Sequence, residues 1–278
     1  MTKEHPGHKE KKEEHRHHHK EEKEHVVPID PSGRLSNDLG GDWNITWVSK
    51  TSHHKVTDRG IACHYPAGGF AGESGTHFVA QPSCFPSSTS AKLSYTVSVP
   101  ADFDFVKGGK LGPGLFIGDK GAGGGNWMTN GASFRVMWRE GGTVVAYLYL
   151  CEDVGKFSGD AHCPLVKAQG KGFVERAHFT GRTGIDLWRE GGMALKRGAD
   201  NRIELEITLN TPGKADGVVG LTVNGKKNSF DGVRWRDTKG MGINGLMVAS
   251  WFGGGDKGWA PKKDQHLLFK DVVVSTRA

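Results

Sequence analysis

Along residues 133–150, SFRVMWREGGTVVAYLYL, apolar and polar side chains alternate on both sides of Glu140-Gly141-Gly142. A period of two in each run is the pattern of two half-buried β-strands joined by a turn. Phe134, Val136 and Trp138 share one parity, and Ser133, Arg135, Met137 and Arg139 take the other. In the second run Val144, Ala146, Leu148 and Leu150 oppose Val145, Tyr147 and Tyr149. Similar short runs predict strands at Trp43–Val48, Gly60–His64, His77–Ala80, Lys92–Val99, Lys110–Ile117, Arg202–Asn210, Val218–Val223, Leu246–Trp251 and His266–Ser275. Glycine-rich turns separate them, and Asn224-Gly225 is a strong hairpin signal. Helical periodicity is scarce and no internal repeat is visible. The pattern predicts an all-β protein, an antiparallel two-sheet sandwich.

The loop length of the opening hairpin decides which residues share a face. A two-residue loop would set Arg135 opposite Leu148 and split the apolar positions between the two faces. A three-residue loop, with glycine in the left-handed position, pairs Arg135 with Tyr147 and Ser133 with Tyr149. All apolar partners then fall on one side, and Ser133, Arg135, Tyr147 and Tyr149 form a patch on the other. Two of the chain's four tyrosines stand on that patch. An arginine beside two phenols suits a ligand that is anionic and ring-shaped. The plainer alternative is a cross-strand aromatic ladder with an arginine stacked on it.

Composition narrows the picture further. At 278 residues with 42 glycines, the chain is long enough for one large β domain, placed at 28–278. Residues 1–27 read as a disordered tail rich in His, Lys and Glu, without the apolar residues needed to offset ordering entropy. The first 25 residues hold seven Lys or Arg and seven Asp or Glu, so the net charge of +6 belongs to the folded part. A pI near 9.1 favours polyanionic partners: nucleic acid, an anionic membrane or an acidic polysaccharide. No apolar stretch has the length of a membrane span and no signal peptide opens the chain.

Several motifs invite other chemistry and are weaker. His15, His17, His18 and His19 could capture a transition metal, but a solvated tail is the plainer reading. Cys63, Cys84, Cys151 and Cys163 lack zinc-type spacing; Cys151–Cys163, with Cys63–Cys84 as remainder, is the favoured disulfide pairing, against four buried thiols. The glycine-rich stretches 121–125 and 253–255 lack the Gly-Lys-Ser/Thr ending of a phosphate loop and read as loops beside a cleft.

GGKLGPGLFIG (108–118), SFRVMWR (133–139), YLY (147–149) and VASWFGGGDKGWAPKKD (248–264) together resemble polysaccharide lyase family 14 and the related glucuronan lyases, over roughly residues 40–275. The resemblance implies a β-jelly roll with its active site on a concave face. By motif position it implies functional roles for Lys110, Ser133, Arg135, Tyr147 and Tyr149. The extra glycine, Gly112, and His77, where an amide is expected, depart from the family pattern.

The implied reaction is β-elimination on a 4-O-linked polyuronate, glucuronan or alginate in type, leaving a 4,5-unsaturated uronate end. Lys110, Arg135, Tyr147 and Tyr149 are the catalytic candidates. Arg135 and Lys110 would take up developing charge, and the phenols or Lys110 would transfer protons. Ser133, Arg139, His77 and Trp251 are the substrate-binding candidates. Trp127 and Trp259 are further stacking candidates, and Lys107, Lys262 and Lys263 could add positive field along a groove. The chemistry requires no cofactor and no metal site is assigned, while a structural ion is compatible with it. The expected partner is an acidic polysaccharide, met outside the cell by a monomer, with neither nucleic acid nor membrane. A non-catalytic, lectin-like jelly roll is the main rival.

Overall fold

The computed structural model describes residues 23–26, 43–85, 87–150, 169, 171–179 and 184–277. Its strands are β1 Lys23–Val26, β2 Ile45–Val48, β3 His54–Thr57, β4 Gly60–Tyr65, β5 Thr76–Ala80, β6 Ser90–Val99, β7 Gly108–Gly118 and β8 Gly131–Arg139. They continue as β9 Val144–Tyr149, β10 Ala177–Phe179, β11 Ile185–Leu187, β12 Ala199–Thr208, β13 Gly217–Val223, β14 Lys226–Val233, β15 Ile243–Phe252 and β16 Gln265–Arg277. A short helix, α1 Lys171–Arg176, precedes β10. The strands build two antiparallel sheets of an all-β jelly roll. One runs β14-β13-β12-β6-β16-β4-β3, with β1 also paired to β16; the other runs β10-β11-β9-β8-β7-β15-β5-β2.

The first sheet follows simple alternation. Leu93, Tyr95 and Val97 on β6 and Ile203, Leu205 and Ile207 on β12 are buried, while Lys92, Glu204 and Glu206 lie on the opposite face. That is one face on the core and one on solvent. Asn224 and Gly225 both have positive φ, 51° and 83°, and Val223 pairs directly with Lys226. The hairpin read from Asn-Gly is therefore a tight two-residue turn.

The second sheet is buried on both faces where the site lies. Phe134, Val136 and Trp138 meet the core. The other parity is also covered: Met137, Val145, Tyr147 and Tyr149 pack with Ala122 in a second apolar cluster. A chain segment folded over the outer face removes it from water, which strand periodicity does not reveal.

β7 carries an irregularity that matters to the site. Lys110 pairs with Met137 and Leu115 with Phe134 on β8, so four residues of β7 face two of β8 between those pairs. Gly112 lies in this bulge with φ 77°, and a Cβ there would come within 2.4 Å of the Phe269 ring. The extra glycine answers that geometry. Replacement by alanine is expected to cost about 2 kcal/mol of stability from the left-handed conformation and the ring contact together, read as a lowered denaturant midpoint with unchanged slope.

Three expectations differ from the structure. Within the tail expected over residues 1–27, Lys23–Val26 pairs with Val273–Thr276 of β16, because that stretch of β16 has an open edge. β3 escapes the period-two reading because it is a four-residue edge strand in which only Val56 is buried. Cys63 and Cys84 are not bridged. Cys63 faces the core, where burial pushes its thiol pKa up, whereas Cys84 lies in the turn beyond β5. Cys151, Cys163 and the histidine cluster of the tail lie outside the described residues.

Candidate active site

The β8–β9 register is the three-residue-loop pairing: Ser133 opposite Tyr149, Arg135 opposite Tyr147, Trp138 opposite Val144. Gly141 and Gly142 supply positive φ, 71° and 88°. β7 adds Lys110 beside Met137, and β15 sets Trp251 beside Lys110 on the other side. β11 brings Asp186 opposite Tyr147. Five strands thus deliver these groups to one face.

The side chains converge there. Lys110 Nζ lies 3.4 Å from the Tyr147 ring centroid and donates to Met137 Sδ at 2.8 Å. The Arg135 guanidinium carbon is 5.5 Å from the Tyr147 ring and 5.3 Å from that of Tyr149. The two phenol rings meet edge to face at 5.7 Å. All four tyrosines serve this region. From the opposite sheet, Tyr95 donates to the Leu111 carbonyl at 2.5 Å, and Tyr65 bonds Ser250 Oγ at 2.6 Å, which donates to the Lys110 carbonyl at 3.1 Å. These bonds hold the backbone of β7 where the bulge breaks its ladder.

A glycine-rich segment closes over the cluster. The Ala122 carbonyl accepts from Ser133 Oγ at 2.7 Å and from Arg135 Nη2 at 3.4 Å. Gly125 N–H donates to the Tyr149 hydroxyl at 2.9 Å, and Gly184 N–H to that of Tyr147 at 2.8 Å. Gly123 lies flat on the Arg135 guanidinium, where a Cβ would come within 2.8 Å of Nη2.

Charge in the cluster is one-sided. Arg135 is 2% exposed; among the described residues no carboxylate pairs with it, and its Nε has no hydrogen-bond partner. Burial, then Arg135 and Arg139, hold the Lys110 amine well below the usual lysine range, with Asp186 acting the other way. Burial, then Tyr147, raise the Tyr149 phenol, against Arg135 and the Gly125 N–H. Lys110 is therefore disposed to carry a free lone pair, and Tyr149 to stay protonated. Asp186 is fully buried and bridges Arg139 to Arg189 Nε, the latter at 2.7 Å.

The remaining candidates divide by place. His77 lies between Trp47 and Trp251, ring centroids 4.9 and 5.0 Å away. Both His77 and Trp251 line a cavity that also reaches Arg135. Arg139 reaches the cluster, 5.8 Å from the Tyr147 ring, but its guanidinium is held by Asp186. Trp127 packs on Tyr149 at 4.9 Å. Trp259 packs over Gly254, with Lys107 Nζ 5.9 Å from its ring. Lys263 pairs with Asp102, and Lys262 is exposed.

Sequence reasoning missed Asp186 and the Ala122 carbonyl. Asp186 sits in Ile-Asp-Leu, an acid between two apolar residues, which was the available signal. A backbone carbonyl leaves none.

Burial, then Arg135, lower the His77 pKa from 6.5 to about 4. His54, its Nδ1 2.6 Å from Thr76 Oγ1, is lowered to about 4 by burial and then His53. Between these values and 6.5 the unfolded chain binds more protons than the folded one, so stability rises with pH across that window and falls on acidification. The His77 part is at most about 3 kcal/mol. Urea unfolding at pH 7 and pH 4.5 should show the loss, and His77→Gln should reduce it.

A protein-family model described as polysaccharide lyase 14 matches residues 53–272. The crystal structure of alginate lyase vAL-1 from a Chlorella virus is 26% identical, with TM-score 0.71, covering 91% of this chain and all of that one. The PL-14 alginate lyase from Aplysia kurodai is also 26% identical at TM-score 0.71, covering 90% and 97%. The protein Exolysin of Paramecium bursaria Chlorella virus 1 is 28% identical over 185 residues, 60% of this chain. The chain spans about a quarter of that viral protein's length, 26%. With the match running from β3 to β16 and taking in the Lys110, Arg135 and tyrosine face, this chain belongs to the polysaccharide lyase 14 family.

Proposed function

We propose that the protein cleaves a 4-O-linked polyuronate of the alginate type by β-elimination. The observation that carries this reading is Arg135, a buried cation without a carboxylate among the described residues, set beside a lysine whose amine is pushed toward neutrality. A uronate carboxylate completes that arrangement.

Arg135 and Ser133 hold the carboxylate of the reacting sugar, which spreads the charge that develops when C5 loses its proton. The Lys110 lone pair takes the C5 proton, and the C5–H electrons become the C4=C5 double bond. The C4–O4 bond breaks, and the departing O4 takes a proton from a phenol. Tyr149, kept protonated by its surroundings, and Tyr147 are the two donors within the cluster. The proton on Lys110 then returns to the phenolate, which restores the site. Asp186 keeps Arg139 in place beside Tyr147. The polymer is met outside the cell.

Incubation with polymannuronate, polyguluronate and, separately, polyglucuronate tests the reading. Ultraviolet absorbance of the conjugated double bond should rise with an alginate-type polymer. No rise with any of the three from neutral to alkaline pH would leave a binding protein in place of an enzyme.

A further inference from the structure

The groups that would act on a uronate are shut away. Lys110, Ser133, Arg135, Tyr147 and Tyr149 are each at most 7% exposed, so a polymer cannot engage them as they stand. Over Ser133, Arg135 and Tyr149 lies the connection between β7 and β8, residues 119–130. Its tip, Gly121-Ala122-Gly123-Gly124-Gly125, offers the site backbone groups with almost no side chains.

This segment is bonded to itself. At the tip Gly123 and Asn126 exchange both backbone hydrogen bonds, at 3.2 and 3.0 Å, around Gly124 and Gly125. Their φ values of 63° and 81° make a tight two-residue turn. At the neck the Asp119 N–H donates to the Asn130 carbonyl at 3.1 Å, and Asn130 Nδ2 to Asp119 Oδ2 at 2.9 Å. None of these bonds involves the sheet beneath. Just outside the neck, the Gly118 N–H is fixed to the Gly242 carbonyl at 2.8 Å. The segment can therefore lift as one piece from a fixed base, a small unit with its own opening equilibrium.

A different set of contacts holds it down. The Ala122 carbonyl accepts from Ser133 Oγ and Arg135 Nη2, and the Gly125 N–H donates to the Tyr149 hydroxyl. Ala122, Trp127 and Met128 pack on the apolar cluster that contains both phenol rings. The polar ties end on the groups that would hold a carboxylate and protonate the departing O4. A neutral carbonyl stands where a carboxylate oxygen would go, and an N–H stands on a phenol that would face O4. The tip is thus the chain's own stand-in for the substrate.

Resting on the lyase reading above, we propose that residues 119–130 form an autoinhibitory flap. At rest it occupies the carboxylate and leaving-group positions, and it swings clear as a unit when a polyuronate takes over its hydrogen bonds. Apparent affinity is then the intrinsic affinity reduced by the fraction of molecules that stand open.

Gly121→Cys combined with Met247→Cys ties the flap down. A Cβ at Gly121 would come within 2.1 Å of Met247 Cε and 3.5 Å of its Sδ, and the shorter cysteine at 247 makes room for a bridge. Once oxidised, with the bridge verified by mass spectrometry, the double variant should lose about 100-fold or more of its initial rate. Reductant should restore it, while wild type and each single variant, treated alike, keep their rates. A bridged enzyme that cuts as fast as its reduced form would overturn the proposal. Amide hydrogen exchange decides the matter without a bridge. Lys110→Ala protein is used with a pentamer of mannuronate or guluronate, whichever polymer wild type cuts, so that binding is read without turnover. At saturating pentamer the amides of residues 119–130 should exchange about ten-fold faster than in the free protein, with β7 and β8 unchanged. Slower or equal exchange there would overturn the proposal, because it would leave the flap in place above a bound sugar. Wild type inactive on every polyuronate would instead defeat the lyase reading.

Discussion

Arg135→Met is expected to lower kcat/KM on the cleaved polyuronate by about 10³-fold while raising the thermal midpoint. Both effects come from one feature. Arg135 is 2% exposed, no carboxylate pairs with it among the described residues, and its Nε has no partner there, so folding bears a desolvation cost that the Ala122 carbonyl and the two phenol rings offset only in part. An apolar side chain of similar length removes that cost and removes the cation that steadies the C5 carbanion, an electrostatic contribution of about 3–4 kcal/mol in comparable sites. Activity and stability should therefore move in opposite directions. Melting and initial rates on the same preparation check this. A variant that keeps its activity, or one that loses both together, would reassign Arg135 to the scaffold.

Lys110→Ala should lower kcat by about 10²- to 10⁴-fold, the range of a lost general base, and small primary amines added to the buffer should restore part of it. The wild-type rate should climb with pH through the lowered lysine pKa and be complete well below the pH at which an ordinary lysine deprotonates. The rescued variant should instead follow the pKa of the added amine. Tyr149→Phe removes a proton donor and leaves the acid limb where it was. Rates without amine dependence in Lys110→Ala would shift the base to a phenol, against the burial that raises Tyr149.

The hairpin was legible in the sequence because two constraints agreed there. Parity assigned Phe134, Val136 and Trp138 to the core, and loop length then had one solution that kept Val144, Ala146 and Leu148 with them. Arg135 and Tyr147 followed as partners. Lys110 was not legible that way: the bulge between Lys110 and Leu115 breaks the period that would place it on a face, and only the motif resemblance brought it in. Asp186 lies on a three-residue strand, too short for any period. The closure of residues 119–130 over the cluster depends on what they meet in space, and neither composition nor spacing encodes that. The Cys63–Cys84 pairing failed because cysteine number carries no direction, and Cys63 points into the core.

The Ala122 carbonyl already takes the hydrogen bonds of Ser133 and Arg135. A sugar that takes the bonds of Ser133 Oγ and Arg135 Nη2 exchanges for that oxygen, so its recognition there is a contest between two acceptors. An ionised carboxylate wins the contest, since it meets the guanidinium with a full opposite charge and with two oxygens that can pair bidentately, where the carbonyl offers one neutral oxygen. A neutral hexose or a uronate methyl ester brings nothing better than the amide it displaces. Through one backbone carbonyl, the protein sets a threshold of charge that a substrate must exceed, and blocking the carboxyl groups of the polymer should remove binding as well as cleavage.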